Sequence, residues 1–172
     1  GIMMEKKKYD NFTLSLALFD ALPVLFFSIA ILLIGFRFRN VIFFIGAMLC
    51  SLAGCGKVLW KILLAGSGKD FQILNRQMRV LMPSGFVGMI AGLIIGRHVI
   101  DFSVLRNEIF SFPAVAFFAI TVIGMICMSV FAVKLDGTKA KNNWIEQITN
   151  AVAQGCFLAG VIAVIWLSLI HI

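Results

Sequence analysis

Three ionisable residues stand inside long apolar runs: Asp20, Lys57 and Lys61. A lysine at the centre of a bilayer costs about 2.5–3.5 kcal/mol, so such residues face protein or a water-filled cavity and mark candidate sites. A carboxylate beside two ammonium groups offers a switchable acid and a neutralising partner for an anion. At ~100° per residue, Gly46, Cys50, Gly54, Lys57 and Lys61 share one helical face. Small residues admit a neighbouring backbone, which turns that face toward protein. Ala17, Ala21, Val24 and Ser28 share the face of Asp20 in the same way.

Depth brings these groups together. Asp20 lies ~9 Å into its span, and Lys61 and Lys57 lie ~7 Å and ~14 Å from the end of the next, antiparallel one. A stripe of amides, Asn143, Gln147, Asn150 and Gln154, enters from the same side at i, i+4, i+7 and i+11. Buried amides need partners, so Asn150 and Gln154 are expected beside the charged groups. Structural readings compete with a site: Lys61 can snorkel to the interface, and Asp20 with a lysine can be an ion pair that only sets helix register.

Other chemistry is missing from the sequence. His98 and His171 form no intramembrane cluster, and no HExxH, GxSxG, P-loop or acidic metal motif is present. The four cysteines lie in apolar runs without CxxC spacing. Cys50 and Cys55 point ~140° apart on a helix and read as small buried residues. No metal or cofactor is expected.

The elements that position the charged groups follow from composition. The chain of 172 residues is 61% hydrophobic and 13% charged, a single all-α, polytopic membrane domain. Spanning ~30 Å of hydrocarbon takes ~20 residues, which gives five transmembrane helices near 14–36, 41–66, 83–100, 113–133 and 147–170. The first run is too long for a signal-peptide core and reads as a retained span. Arg37, Arg39 and Asn40 form a tight turn, so the first two spans pack as a hairpin. Residues 71–82 place Phe71, Leu74, Met78 and Leu81 opposite Gln72, Asn75, Arg76 and Arg79, a basic amphipathic segment suited equally to the headgroup region or to packing on the bundle as a loop helix. Pro83 is expected to open the third span and Pro113 the fourth.

Glycines set the packing. Gly88, Gly92 and Gly96 make an uninterrupted GxxxGxxxG that permits a close helix crossing, and Gly54 and Gly155 lie in further small-residue stripes. These faces join helices of one chain or two copies in a homo-oligomer.

A net charge of +7 sits in short loops, so it speaks for orientation in a membrane and against nucleic-acid binding. Lys6, Lys7, Lys8, Lys69, Arg76, Arg79, Lys134, Lys139 and Lys141 lie on one side, against Arg37, Arg39, Arg97 and Arg106 on the other. That bias puts the N-terminus in the cytoplasm and the C-terminus outside, in a multi-pass protein of a cytoplasmic membrane. The sequon Asn11-Phe12-Thr13 then falls on the cytoplasmic side and is accidental.

The leading functional expectation is a small transporter or ligand-binding membrane protein with a polar site in the cytoplasmic half. Its ligand is an anionic small molecule or lipid headgroup met by Asp20, Lys57, Lys61, Asn150 and Gln154. A membrane-embedded enzyme acting on a lipid headgroup ranks second, because no histidine or second intramembrane acid serves it. A non-catalytic partner or sensor subunit, with the glycine faces as interfaces, ranks third.

Overall fold

The computed structural model describes residues 13–136 and 140–170. Lys6, Lys7, Lys8, Lys139, His171 and the sequon asparagine Asn11 lie outside the described residues. Thr13 starts the first helix by accepting a hydrogen bond at its hydroxyl from the amide of Leu16, 3.2 Å, which satisfies one of the orphan donors of the first turn. Helix α1 then runs Leu14–Arg37 and carries Pro23 inside it, buried against its neighbours. Arg39, at φ 50°, makes the reversal into α2, Val41–Ser67. Asn40 caps that helix, its Oδ1 accepting from the amide of Phe43 at 3.0 Å. Gly68, at φ 70°, ends it in the left-handed conformation a side chain would disfavour.

The remaining helices are α3, Gln72–Arg76, α4, Met78–Ile95, α5, Phe102–Ile109, α6, Ala114–Lys134, and α7, Ala140–Ile170. The helices α1, α2, α4, α6 and α7 are long and apolar enough to cross a membrane, α4 together with the short α3 before it. The chain is therefore an all-helical, multi-pass membrane protein.

The third span differs from its sequence expectation of 83–100. Helix α4 begins at Met78, so Pro83 lies inside it, and the helix ends at Ile95. Proline lacks the N–H that would bond the carbonyl of Arg79, yet it keeps a helical φ and is carried by a helix that has other support. The amphipathic stretch 71–82 is accordingly divided: α3 holds its first half and the opening turns of α4 its second.

The five long helices pack in the order α4, α2, α1, α7, α6, with α1 in the middle. Among the described residues α4 and α6 do not touch, so the row stays open as a cleft between its two wings. The seam between α2 and α4 is built on glycine. A Cβ at Gly46 would sit 2.6 Å from the carbonyl oxygen of Gly85, and one at Gly92 would sit 2.5 Å from the nitrogen of Phe43. Gly88 faces the Cα of Gly46, and Gly96, just past the helix end, faces the side chain of Asn40. Asn40 adds a hydrogen bond from Nδ2 to the carbonyl of Gly92, 2.7 Å, so the cap of one helix also pins the other. The GxxxGxxxG face is thus occupied within the chain.

Gly54 belongs to a different seam. Its missing side chain makes room for Val24 of α1, 2.8 Å from where a Cβ would stand. The stripe through Gly46, Cys50 and Gly54 therefore serves two neighbours, α4 first and α1 farther along. Gly155 of α7 meets the ring of Phe26 at an ordinary 3.5 Å. Helix α6 rests on α7 alone among the long helices, through Gly124 against Ala153 and a hydrogen bond from the Thr121 hydroxyl to the carbonyl of Ala153, 3.0 Å.

Candidate functional site

Asp20 and Lys61 form the ionic centre of the bundle. The lysine Nζ donates to Asp20 Oδ2 at 2.7 Å, and the two side chains are only 10% and 13% exposed. Helical rise explains the meeting, since both groups lie about two turns in from the same end on antiparallel neighbours. Lys61 is not snorkelling: its charge is spent on Asp20.

Lys57 stands one turn deeper on the same helix and has a different environment. It lines a pocket of about 590 Å³ together with Lys61, Trp60, Asn75, Met78, Arg79, Met82, Pro83, Asn143, Glu146 and Gln147. Helix α2 supplies the two lysines and the tryptophan, the α3–α4 segment supplies Asn75 and Arg79, and the first turns of α7 supply the amides and Glu146. Three cations thus face one lining carboxylate. Lys57 makes no ion pair or hydrogen bond with the described residues.

The pocket wall is braced from outside. Trp60, 3% exposed, donates from Nε1 to Asp70 Oδ1 at 2.7 Å, and Gln72 donates to the other oxygen at 2.7 Å. Asp70 is thereby held by two donors and ties the α2–α3 connection to the helix beneath it. Gln77 sits at the join of α3 and α4 and donates to the carbonyl of Ala53, 2.9 Å, in the space left by Gly56. The Oε1 of Gln77 and, on the pocket wall, the Oε1 of Gln147 are both buried with no hydrogen-bond partner. An orphaned acceptor of this kind costs about 1–3 kcal/mol, which a donor from outside would recover.

The amide stripe of α7 divides between two surroundings. Asn143 and Gln147 line the pocket. Asn150 and Gln154, which spacing groups with the charged residues, are not among its lining residues. Gln154 donates to Asn150 Oδ1 at 3.3 Å and approaches the sulfur of Met125 at 3.4 Å, so this pair faces α6. The neighbour of that face changes with depth, a fact periodicity does not carry. Asp20 lies behind Lys61 and outside the lining of the pocket.

Arg79, Asn75, Trp60 and Glu146 complete the pocket and were not in the sequence-derived set. The signal for Asn75 and Arg79 is the polar face of 71–82, whose Arg79 stands one turn before Pro83; Trp60 and Glu146 carry no such signal. That signal serves headgroup binding and packing on the bundle equally well, because 71–82 reads as a segment separate from the third span.

A second, larger cavity of about 970 Å³ occupies the cleft toward the opposite end of the bundle. Its walls are mostly apolar, from Phe27 and Ile31 of α1, Phe86 and Leu93 of α4, and Phe157 and Val161 of α7, and its polar lining is Arg37, Arg39, Asp101, Glu108 and Ser168. Helix α5 covers its far end, where Arg37 is held to α7 by two hydrogen bonds to Ser168 Oγ, 3.0 and 2.8 Å.

No group of three or more potential metal ligands occurs among the described residues. No family model, curated protein or solved structure matches the chain.

Proposed function

We propose that this protein is a small membrane transporter or ligand-binding protein whose pocket of Lys57, Arg79, Asn143 and Gln147 receives an anion. The observation that carries this reading is Lys57. It is a span lysine on a pocket wall, unpaired among the described residues, one turn from a lysine whose charge Asp20 already balances. A bound anion supplies the missing counter-charge, and Arg79 supplies a planar donor set suited to a phosphate or carboxylate. The Gln147 side chain offers N–H donors to remaining oxygens, and Asn143 lines the same wall. Asp20 then acts through Lys61, fixing its position and setting the local charge, and Asn150 and Gln154 join α7 to α6.

The charge bias of the loops favours a cytoplasmic N-terminus, which places this pocket in the cytoplasmic half and the C-terminus outside. Among the described residues Lys69, Arg76, Arg79, Lys134 and Lys141 lie at the pocket end, against Arg37, Arg39, Arg97 and Arg106 at the other.

The test is titration of inorganic phosphate against protein in nanodiscs of uncharged lipid, read by calorimetry. Wild type should bind saturably and Lys57→Met at least tenfold more weakly. Absence of saturable binding to wild type, or equal binding by the variant, overturns the reading. Proteoliposomes loaded with the same anion then separate transport from binding alone.

A further inference from the structure

The basic pocket and the apolar cavity are close neighbours. Met82 and Pro83 line the first and Phe86 lines the second, so along α4 they are about one turn, ~6 Å, apart. Both face the cleft between α4 and α7. The boundary is a row of aromatic rings that crosses four helices: Phe86 meets Phe27 at 6.2 Å between centroids, Phe27 meets Phe157 at 6.1 Å, and Phe157 meets Phe118 at 6.3 Å. Rings at such spacing present apolar edges and faces to the cavity and leave the polar groups on the other side.

A free small anion has no use for that second space. We propose that the ligand is a single amphiphile, a phosphate ester of a long hydrocarbon chain, with its head in the basic pocket and its chain passing Phe86 and Phe27 into the apolar cavity. The inference rests on the anion-pocket reading and adds the class of molecule. Charge complementarity selects the head: Lys57 and Arg79 face a dianion better than a zwitterion, whose amine they would repel. The cavity selects the tail, because its lining is mostly apolar, with Arg37, Arg39, Asp101, Glu108 and Ser168 belonging to the end that α5 covers, and Phe27 to Arg37 spans ~15 Å along α1. The open side between α4 and α6 gives such a chain lateral entry from the bilayer.

Three water-soluble probes separate this proposal from the one beneath it: inorganic phosphate, butyl phosphate and octyl phosphate, each titrated against the protein in nanodiscs of uncharged lipid. Empty nanodiscs provide the partitioning blank. Burial of four further methylenes should make octyl phosphate bind on the order of a hundredfold more tightly than butyl phosphate. Phe86→Trp, which enlarges a half-exposed ring at the neck, should remove most of that advantage and leave inorganic phosphate binding unchanged, which also shows the variant folded. Equal affinity for all three probes overturns the amphiphile and leaves the anion pocket standing. A chain-length advantage that survives Phe86→Trp undiminished, or octyl phosphate binding that Lys57→Met leaves unchanged, is chain partitioning and overturns the amphiphile too. Binding of none of them overturns both readings.

Discussion

Lys61 Nζ lies 2.7 Å from Asp20 Oδ2, joining two residues 41 apart in sequence across the interface of α1 and α2. Removing one member leaves the other charged and buried, whereas removing both leaves only a lost contact. Asp20→Asn should therefore destabilise the bundle by about 3 kcal/mol, and Asp20→Asn with Lys61→Met by clearly less. A double-mutant cycle on unfolding in mixed micelles reads the coupling. The same cycle with Lys57→Met should show weaker coupling, because Lys57 is no hydrogen-bond partner of Asp20. Additive losses in the Lys61 cycle would contradict the ion pair.

The glycines should rank by what their missing side chains would strike. Gly92→Ala drives a methyl group to 2.5 Å from backbone of α2, Gly88→Ala brings one to 3.1 Å, and Gly155→Ala meets only a ring at 3.5 Å. Backbone cannot step aside as a side chain can, so overpacking should cost about 1–3 kcal/mol or more at Gly92, less at Gly88 and nothing measurable at Gly155. Thermal unfolding in detergent gives the order. A Gly92→Leu variant with wild-type stability would mean that the α2–α4 seam is not as described.

Orientation is checked with single cysteines in a background lacking the four native ones. Asp136→Cys, near the pocket end, should be labelled from the cytoplasmic side, and Arg106→Cys, on α5, from outside. Labelling of both by a membrane-impermeant reagent from one side would remove the topology with five crossings.

The five spans are legible from apolar length, because a bilayer sets a minimum that few soluble segments meet. The Asp20–Lys61 contact is within reach as well, since helical rise fixes depth and the short Arg37–Asn40 turn forces adjacency. What periodicity leaves undetermined is the neighbour. Gly46 and Gly54 share a stripe but differ by ~80° around the helix, enough to serve α4 and α1 separately. Asn143 and Gln154 share a stripe but sit ~16 Å apart along α7, enough to pass from the pocket to α6. Arg79 is obscured by Pro83, which reads as a helix start although the helix runs through it from Met78.

Gln147 tests whether the pocket trades stability for binding. Its Oε1 is buried without a partner, while its amide stands on the wall shared with Lys57 and Arg79. Gln147→Leu keeps similar bulk and removes the orphaned acceptor, so the free protein should be as stable as wild type or more so, by up to about 1 kcal/mol. The same change deletes an N–H donor from the wall and should weaken phosphate binding severalfold. Gln147→Glu keeps the shape but places a carboxylate opposite the lysine. It should abolish binding at neutral pH while holding Lys57 as a new internal partner. Unfolding in detergent and phosphate calorimetry in nanodiscs, made on the same two variants, give both halves. If Gln147→Leu loses stability and keeps full affinity, the amide belongs to the scaffold of α7 and the anion is held by the cations alone.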